Sequence, residues 1–452
     1  MSLGHKKVII IGGGISGIKS AIDLYNGGIE DTLILESRSS LGGRLYTITS
    51  NGNYYDFGAS WFHDSLTNPL FTKALKLENI DYYYDDGKCQ YLNSTNKDIP
   101  IWKFDSVVDE IMTYFSLTYL NNADKPDISL KDLTYEYIEK FKKRLTIDQQ
   151  NCCVEVVRMW AELWHGEYWG NLSGKYCFAD AEHQGRNVFV LNGYTKVFEN
   201  ELNELPKTYQ KNNIKLNTHV SRIDYSGRLI EVTTRCGQVY TCDYLISTIP
   251  QTLLKITDTS DSYYIEWKPE IPKPIKEVLT YCNYGSLGKV VFEFDFCFWS
   301  NDVERFYILA DSNYSYPTLF INYQALCQKP SIIALTQSPL SKEIETMTKD
   351  DIWRLFKPKF EQIATSKVQS PKNIFNTEWN RDEFIRGAYG TSLINTINPS
   401  AVIQAFTNGF GKIRFAGAET IDGSSNGCAH GGWLSGAREA EYILNREARS
   451  KM

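Results

Sequence analysis

At 452 residues the chain is long for one hydrophobic core, which makes two domains the natural arrangement, and its 42% apolar content is that of a globular protein. A formal net charge of −6 argues against a nucleic-acid surface and mildly suits a cationic substrate. No apolar run approaches the roughly twenty residues of a membrane span, no signal-like segment follows the first Met, and the ten cysteines show neither C-x-x-C pairs nor zinc-ligand spacing, so no metal site and reduced thiols in an intracellular protein are expected.

The first element is the run Val8-Ile9-Ile10-Ile11, β-branched and too short for an ordinary helix, which predicts a buried parallel strand. Gly12-Gly13-Gly14-Ile15-Ser16-Gly17 follows at once and fits G-x-G-x-x-G. In such a turn Gly12 permits the tight bend, Gly14 lets a pyrophosphate approach the backbone, and Gly17 lets the next helix pack on the strand. Residues 18–25 carry apolar side chains at helical spacing, so the first turn, Ser16 included, offers free N–H groups and a positive dipole end to phosphate. A second apolar strand, Thr32-Leu33-Ile34-Leu35, ends on Glu36, an acid about twenty residues past the last glycine that can bond ribose hydroxyls and would repel a 2′-phosphate. These features point to FAD or NAD and away from NADP.

Ser37-Arg38-Ser39-Ser40-Leu41-Gly42-Gly43-Arg44 adds glycines for close backbone approach and arginines suited to phosphate. E-x-R-x-x-x-G-G-R after such a turn, with Asp56-Phe57-Gly58-Ala59-Ser60-Trp61 further on, resembles the flavin-containing amine oxidases, in which these segments wrap FAD. The resemblance covers nearly the whole chain and is closest to the yeast polyamine oxidases and to relatives described as fungal corticosteroid-binding proteins. It implies an α/β fold: a Rossmann-like FAD-binding domain with an inserted mixed α+β substrate domain, as in the p-hydroxybenzoate-hydroxylase-like architecture.

Beyond Trp61-Phe62-His63, residues 69–77 predict a short helix, and Tyr82-Tyr83-Tyr84 with Gln90-Tyr91-Leu92 predict strands about the Asp85-Asp86-Gly87 turn. From 105 to about 164 apolar residues recur at helical intervals, the body of a substrate domain. The chain returns near Phe189, runs through a helix at 194–205, and gives strand signals at 214–223, 229–234 and 238–249. Strands at 289–294 and 331–335, a return near Phe375 and a last buried strand at 414–417 complete the pattern. The expected division is 1–75, 190–258 and 376–452 for the FAD-binding domain, and 76–189 and 259–375 for the substrate domain.

Further roles come from the resemblance, position by position. Lys289, at the head of an apolar strand, matches the lysine that holds a water against flavin N5; burial there would lower its pKa. His63 matches a histidine of the yeast polyamine oxidases, and the two are the expected managers of protons and water. Trp164 matches a channel tryptophan, and His183-Gln184-Gly185-Arg186-Asn187 matches a stretch whose histidine and asparagine face the channel. Backbone atoms of Val220 would meet adenine, and Trp379 would pack near the flavin ring. Phe415-Ala416-Gly417-Ala418-Glu419-Thr420 and Asn426-Gly427-Cys428-Ala429-His430 resemble the FAD-closing segment, with Glu419 near the ribityl chain and the helix start at Cys428-Ala429 facing the pyrimidine edge. Gly43, Arg44, Gly58, Ala59, Ser60 and Trp61 complete the expected cofactor set.

Two departures matter. The cysteine by which monoamine oxidases attach FAD is matched by Ala388, which implies non-covalent flavin; Cys428 is not that residue. His430 stands where a tyrosine usually flanks the amine, a poorer wall for cation–π contact. The implied activity is oxidation of a secondary amine of spermine or acetylated polyamines, with O2 reduced to H2O2. The rival is a flavoprotein that binds a hydrophobic ligand such as a corticosteroid with little turnover. A monoamine oxidase is disfavoured by Ala388 and by the polar residues 441–452 where those enzymes carry a span. Ser450-Lys451-Met452 resembles a peroxisomal address, with the cytoplasm as the alternative; the oligomeric state is open.

Overall fold

The apolar run near the N-terminus forms the strand Ser2–Ile11, wholly buried from Val8 to Ile10 in a computed structural model that describes residues 2–178 and 183–450. It pairs in parallel with Thr32–Leu35 on one side and Val239–Ser247 on the other. Val239–Ser247 serves two further neighbours: its first half runs antiparallel to Ile230–Thr234, and its last three residues pair in parallel with Ile413–Phe415. Ile214–Lys215, Val220–Asp224 and Glu266–Lys268 complete an eight-stranded sheet. Alternate residues of the first strand serve its two faces. Val8 and Ile10 meet Ile18, Ile22, Ala440 and Ile443 of two helices, while Ile9 and Ile11 join Leu33, Leu35, Phe406 and Phe415.

Those two helices, Ile15–Asn26 and Ala429–Ser450, cross at contact distance. A Cβ on Gly436 would lie 2.2 Å from the Ser16 carbonyl oxygen, and the Ser20 hydroxyl donates to the Gly436 carbonyl at 2.9 Å. The crossing brings the first turns of both helices together, with Gly432 against Ile15 and Ser16. Chain segments more than four hundred residues apart thus build one end of the sheet.

A second sheet has the order Asn373–Asn376, Gly288–Glu293, Ser331–Thr336, Thr318–Asn322, Arg305–Ile308, Cys89–Leu92, antiparallel except for the last pair. One face packs on Lys349–Ile363 through Phe292, Phe356 and Phe360. On the other, Val291, Tyr307, Ile333 and Leu335 share a core with the helices Asp105–Leu120, Leu130–Phe141 and Ile147–His165. A small sheet, Trp61–Phe62 with Val188–Val190 and Tyr82–Tyr84, links the layers.

Three expectations need correction. The predicted strand 214–223 is two strands in different registers, broken where Asn217 takes φ 51°, a conformation asparagine tolerates well. The first sheet extends past the domain boundary at 258, because Glu266–Lys268 pairs with Val220–Asp224 and the chain leaves the sheet only at Pro269. The helix Lys349–Ile363 has no counterpart in the sequence reading, since Pro358 in its interior argues against a helix that tertiary packing of Ile352, Phe356 and Phe360 nevertheless maintains. No helix among the described residues is long and apolar enough to cross a membrane. Lys451 and Met452, and with them most of the C-terminal tripeptide, lie outside the described residues.

Candidate active site

At the sheet end, Gly12 adopts φ 104°, and a Cβ there would sit 2.1 Å from the Thr248 hydroxyl, so only glycine is accommodated. The helix Ile15–Asn26 that follows has no side-chain cap and no acid in its first turn. Glu36, buried at the end of its strand, accepts from the backbone N–H of Gly13 at 2.6 Å through Oε2 and from that of Arg38 at 2.8 Å through Oε1. Burial pushes its carboxyl upward against these hydrogen bonds. Arg38 and Arg44 do not present free charge. Arg38 Nη2 lies 2.7 Å from both Asp382 oxygens, and Arg44 forms a two-pronged pair with the Glu419 carboxylate, its Nη2 at 2.9 Å. Each guanidinium is charge-paired, and Arg38, engaged through Nη2 alone, keeps further N–H donors for another acceptor. A Cβ on Gly58 would fall 1.6 Å from the Arg44 carbonyl oxygen, which shows how closely the two glycine-containing segments lie.

Lys289, 4% exposed at the head of Gly288–Glu293, reaches back to this loop. Its Nζ donates to the carbonyls of Asp56 (2.8 Å) and Gly58 (2.6 Å) and to the Ser60 hydroxyl (2.5 Å). An ammonium has three donors, and all three are placed. Burial lowers the lysine pKa against the pull of the Asp56 carboxylate, which burial itself pushes up. Ala59 bonds back to Arg44 through its N–H at 3.2 Å, and the Trp61 ring lies 5.7 Å from Lys289 Nζ.

The strand Trp61–Phe62 delivers His63 and Asp64 to a cluster of imidazoles. His63 Nδ1 is 2.9 Å from Asn187 Oδ1, and its ring stacks on His183 at 4.8 Å and 15°. Burial, then the neighbouring His183, lowers His63 to about 4, so it is neutral at pH 7. Asp64 Oδ1 receives His183 Nδ1 at 3.1 Å and the Gln184 N–H at 2.6 Å; Oδ2 receives His430 Nε2 at 3.1 Å and the Ser424 hydroxyl at 2.9 Å. His430 is 3% exposed. The expectation that its imidazole forms a wall beside substrate is corrected: bonded to a buried carboxylate, it has almost no surface to offer.

This sequence matches the flavin-containing amine oxidoreductase family over residues 15–444. The chain belongs to that family. It is 33% identical over 475 aligned positions to the corticosteroid-binding protein of Candida albicans, covering 97% of this chain and 96% of the relative. Identity is 26% over 460 positions to polyamine oxidase 4 of Oryza sativa subsp. japonica (97% and 88% covered) and 24% over 448 to polyamine oxidase 2 of Arabidopsis thaliana (96% and 87%).

FAD is the cofactor of the family, and the residues of this amine oxidoreductase fit it. The uncapped helix start at Ile15, with Ser16 and Gly17 behind it, leaves N–H groups for a pyrophosphate, and open space lies before the Gly14 Cα. Each Glu36 oxygen keeps lone-pair capacity for ribose hydroxyls. The second helix start, at Cys428 and Ala429, lies beside the first and supplies another positive dipole end. Val220 is buried at the start of its strand, opposite Thr234. A Cβ on Gly43 would meet the Gly14 Cα at 3.7 Å, so the loop lies against the turn.

Trp379 donates from its indole to the Phe57 carbonyl at 3.0 Å and packs with Phe57, Tyr284 and Tyr389, so the expected ring-side tryptophan stands behind the Gly58 loop. Trp164 is 51% exposed, with Trp160 and Phe178 on its flank, and its carbonyl takes the Tyr389 hydroxyl at 2.7 Å. Sequence reasoning misses Asp64, Tyr389 and Ser424. Asp64 was open to discovery as a charge immediately after Trp61-Phe62-His63, but Asp-Ser before an Asn-Pro helix start reads as loop chemistry.

Proposed function

We propose that this amine oxidoreductase is a polyamine oxidase acting on a secondary amine of spermine or acetylated polyamines. The observation that supports it most is the Trp61 ring lying between the Lys289 ammonium at 5.7 Å and the His63 ring at 6.4 Å, with His63 in turn stacked on His183 and bonded to the amide of Asn187. FAD when bound supplies the redox chemistry, taking two electrons with hydrogen from the carbon beside nitrogen and returning them to O2 as hydrogen peroxide. The chain's own residues handle protons and position. His63, neutral at pH 7, can hydrogen-bond the free amine, the only form that is oxidised, without placing a second charge beside it. Burial lowers the Lys289 pKa and brings its proton exchange closer to neutrality, and a water joins it only by sharing one of its three N–H donors with a protein acceptor. Asn187 and His183 receive the distal nitrogens, and Trp164 lines the approach.

Anaerobic mixing with spermine, acetylspermine, spermidine and simple monoamines tests this reading: prompt bleaching of the flavin by the polyamines is expected, and an unchanged spectrum with all of them defeats it. A second reading, a flavoprotein binding a hydrophobic ligand with little turnover, is favoured by the buried His430, which leaves the site without the usual tyrosine, and by the name of the Candida albicans relative. Tight corticosteroid binding with no bleaching by amines would establish it. Peroxisomal residence through Ser450-Lys451-Met452 belongs to the first reading, because that compartment disposes of peroxide; a fluorescent fusion that stays diffuse with the tripeptide intact would refute it.

A further inference from the structure

We propose that Asp64 is the positioning residue of the active centre: its carboxylate fixes the tautomers of His183 and His430 and fastens the start of the helix Ala429–Ser450 to the loop that carries His183 and Asn187. Asp64 is 2% exposed, and its backbone takes φ 55°, which aims the side chain away from the ordinary course of the chain. Its two oxygens receive four donors from three separate segments: His183 Nδ1, the Gln184 N–H, His430 Nε2 and the Ser424 hydroxyl. Burial alone would raise its pKa, but the Gln184 N–H, Ser424 and His183 outweigh that and hold it below the usual carboxylate range. It is therefore ionised near neutrality and can only accept.

The tautomers follow from that constraint. His183 must carry its proton on Nδ1, and His430 on Nε2. In the neutral imidazole, His183 Nε2 is then the lone pair, with no partner among the described residues, on a side chain 45% exposed. Free imidazole prefers the opposite tautomer, so the carboxylate turns His183 into an acceptor for an N–H of the substrate. The same geometry supports His63, whose ring lies on that of His183. The titratable groups facing Asp64 are His63, His183, His430 and Cys428. Four hydrogen bonds to the Asp64 carboxylate hold the cluster together.

The consequence for substrate rests on the amine-oxidising reading, whereas the tautomers rest on geometry alone. Imidazole 15N spectra of FAD-loaded protein, with only six histidines to assign and His183→Gln to identify one, decide it. The expected result is an Nδ1–H His183 in the native protein that reverts to Nε2–H in Asp64→Ala. In Asp64→Asn, which keeps the volume and tolerates the positive φ, one amide oxygen remains, so only one of the two imidazoles keeps its native form. An Nε2–H His183 in the native protein, or tautomers unchanged in both variants, overturns the proposal. With amine substrates, Asp64→Asn should raise KM more than it lowers kcat and shift the acid limb of the kcat/KM profile; an unmoved profile with altered tautomers overturns the positioning role. Native protein that shows the expected tautomers but oxidises no amine would strike the function proposed above and leave the hydrogen-bond assignment standing.

Discussion

A charge buried at the head of an apolar strand is tolerated only when its protons are placed, and Lys289 places all three on the loop of residues 56–60. Its replacement by Met keeps the stem and strips a donor from the buried Asp56 carbonyl and from the half-buried Gly58 carbonyl, so Lys289→Met should destabilise by about 1–3 kcal/mol. It should also slow flavin reduction by spermine while the protein stays yellow; denaturant titration and stopped-flow absorbance check both, and native behaviour in each would contradict the role. Glu36 serves two backbone N–H groups and has capacity to spare for a sugar. Glu36→Ala should weaken FAD retention about tenfold or more, the equivalent of about 1.4 kcal/mol, read from recovery of flavin fluorescence on dilution; an unchanged dissociation constant would remove Glu36 from the cofactor site. Glu36 and Lys289 were legible because each interrupts an apolar strand at an end. Asp64 was not, because its one local mark, a charge following Trp61-Phe62-His63, is masked by the Ser65 and Asn68-Pro69 that read as a loop before a helix.

At the scale of elements, the crossing of Ile15–Asn26 and Ala429–Ser450 depends on a missing side chain. A Cβ on Gly436 would overlap the Ser16 carbonyl oxygen, which is backbone and cannot rotate away. Gly436→Ala should cost about 1–3 kcal/mol by forcing the helices apart, and should loosen FAD because both helix starts move. Thermal unfolding with and without added FAD separates the two effects, and a native FAD affinity would show that the starts tolerate the shift. The helix Ile147–His165 offers a control: Thr146 and Gln149 form a reciprocal capping box far from the cofactor turn. Thr146→Ala should lower stability by about 1 kcal/mol and leave FAD affinity unchanged. The buried strands at 8–11 and 32–35 were legible because apolar runs survive any topology, whereas Arg305–Ile308 and Thr318–Asn322, equally buried, have no counterpart in the sequence reading. The single strand expected at 214–223 failed because β propensity ignores which neighbour each half pairs with, and Asn217 ends one pairing before the next begins.

At the scale of the whole molecule, folding buries imidazoles in their neutral form. His165 packs on Phe178, its Nε2 is buried without a hydrogen-bond partner among the described residues, and burial lowers it to about 4. The unfolded chain, with histidine near 6.5, binds this proton first on acidification. Stability from His165 is therefore complete above about pH 6.5 and is lost as the pH falls through 6.5 towards 4. His165→Gln should remove that term, so the gap in unfolding free energy between native and variant protein should narrow or reverse across this window in urea titrations. A gap independent of pH would show that the imidazole is accessible to protons in the folded state.

The glycine turn, the acid at position 36, the apolar strands and the closing motif near position 419 were determined by the sequence alone, because each is a contiguous signal that reports local backbone geometry or a short-range contact with a ligand. Only the tertiary structure decided what the charged groups do. Asp64 meets His183 and His430 across separations of 119 and 366 residues, and Lys289 finds its acceptors 229 to 233 residues back along the chain. Periodicity carries no information at that range; sheet order and the crossing of two helices set which side chains share a wall, and burial then dictates which of them keep their charge.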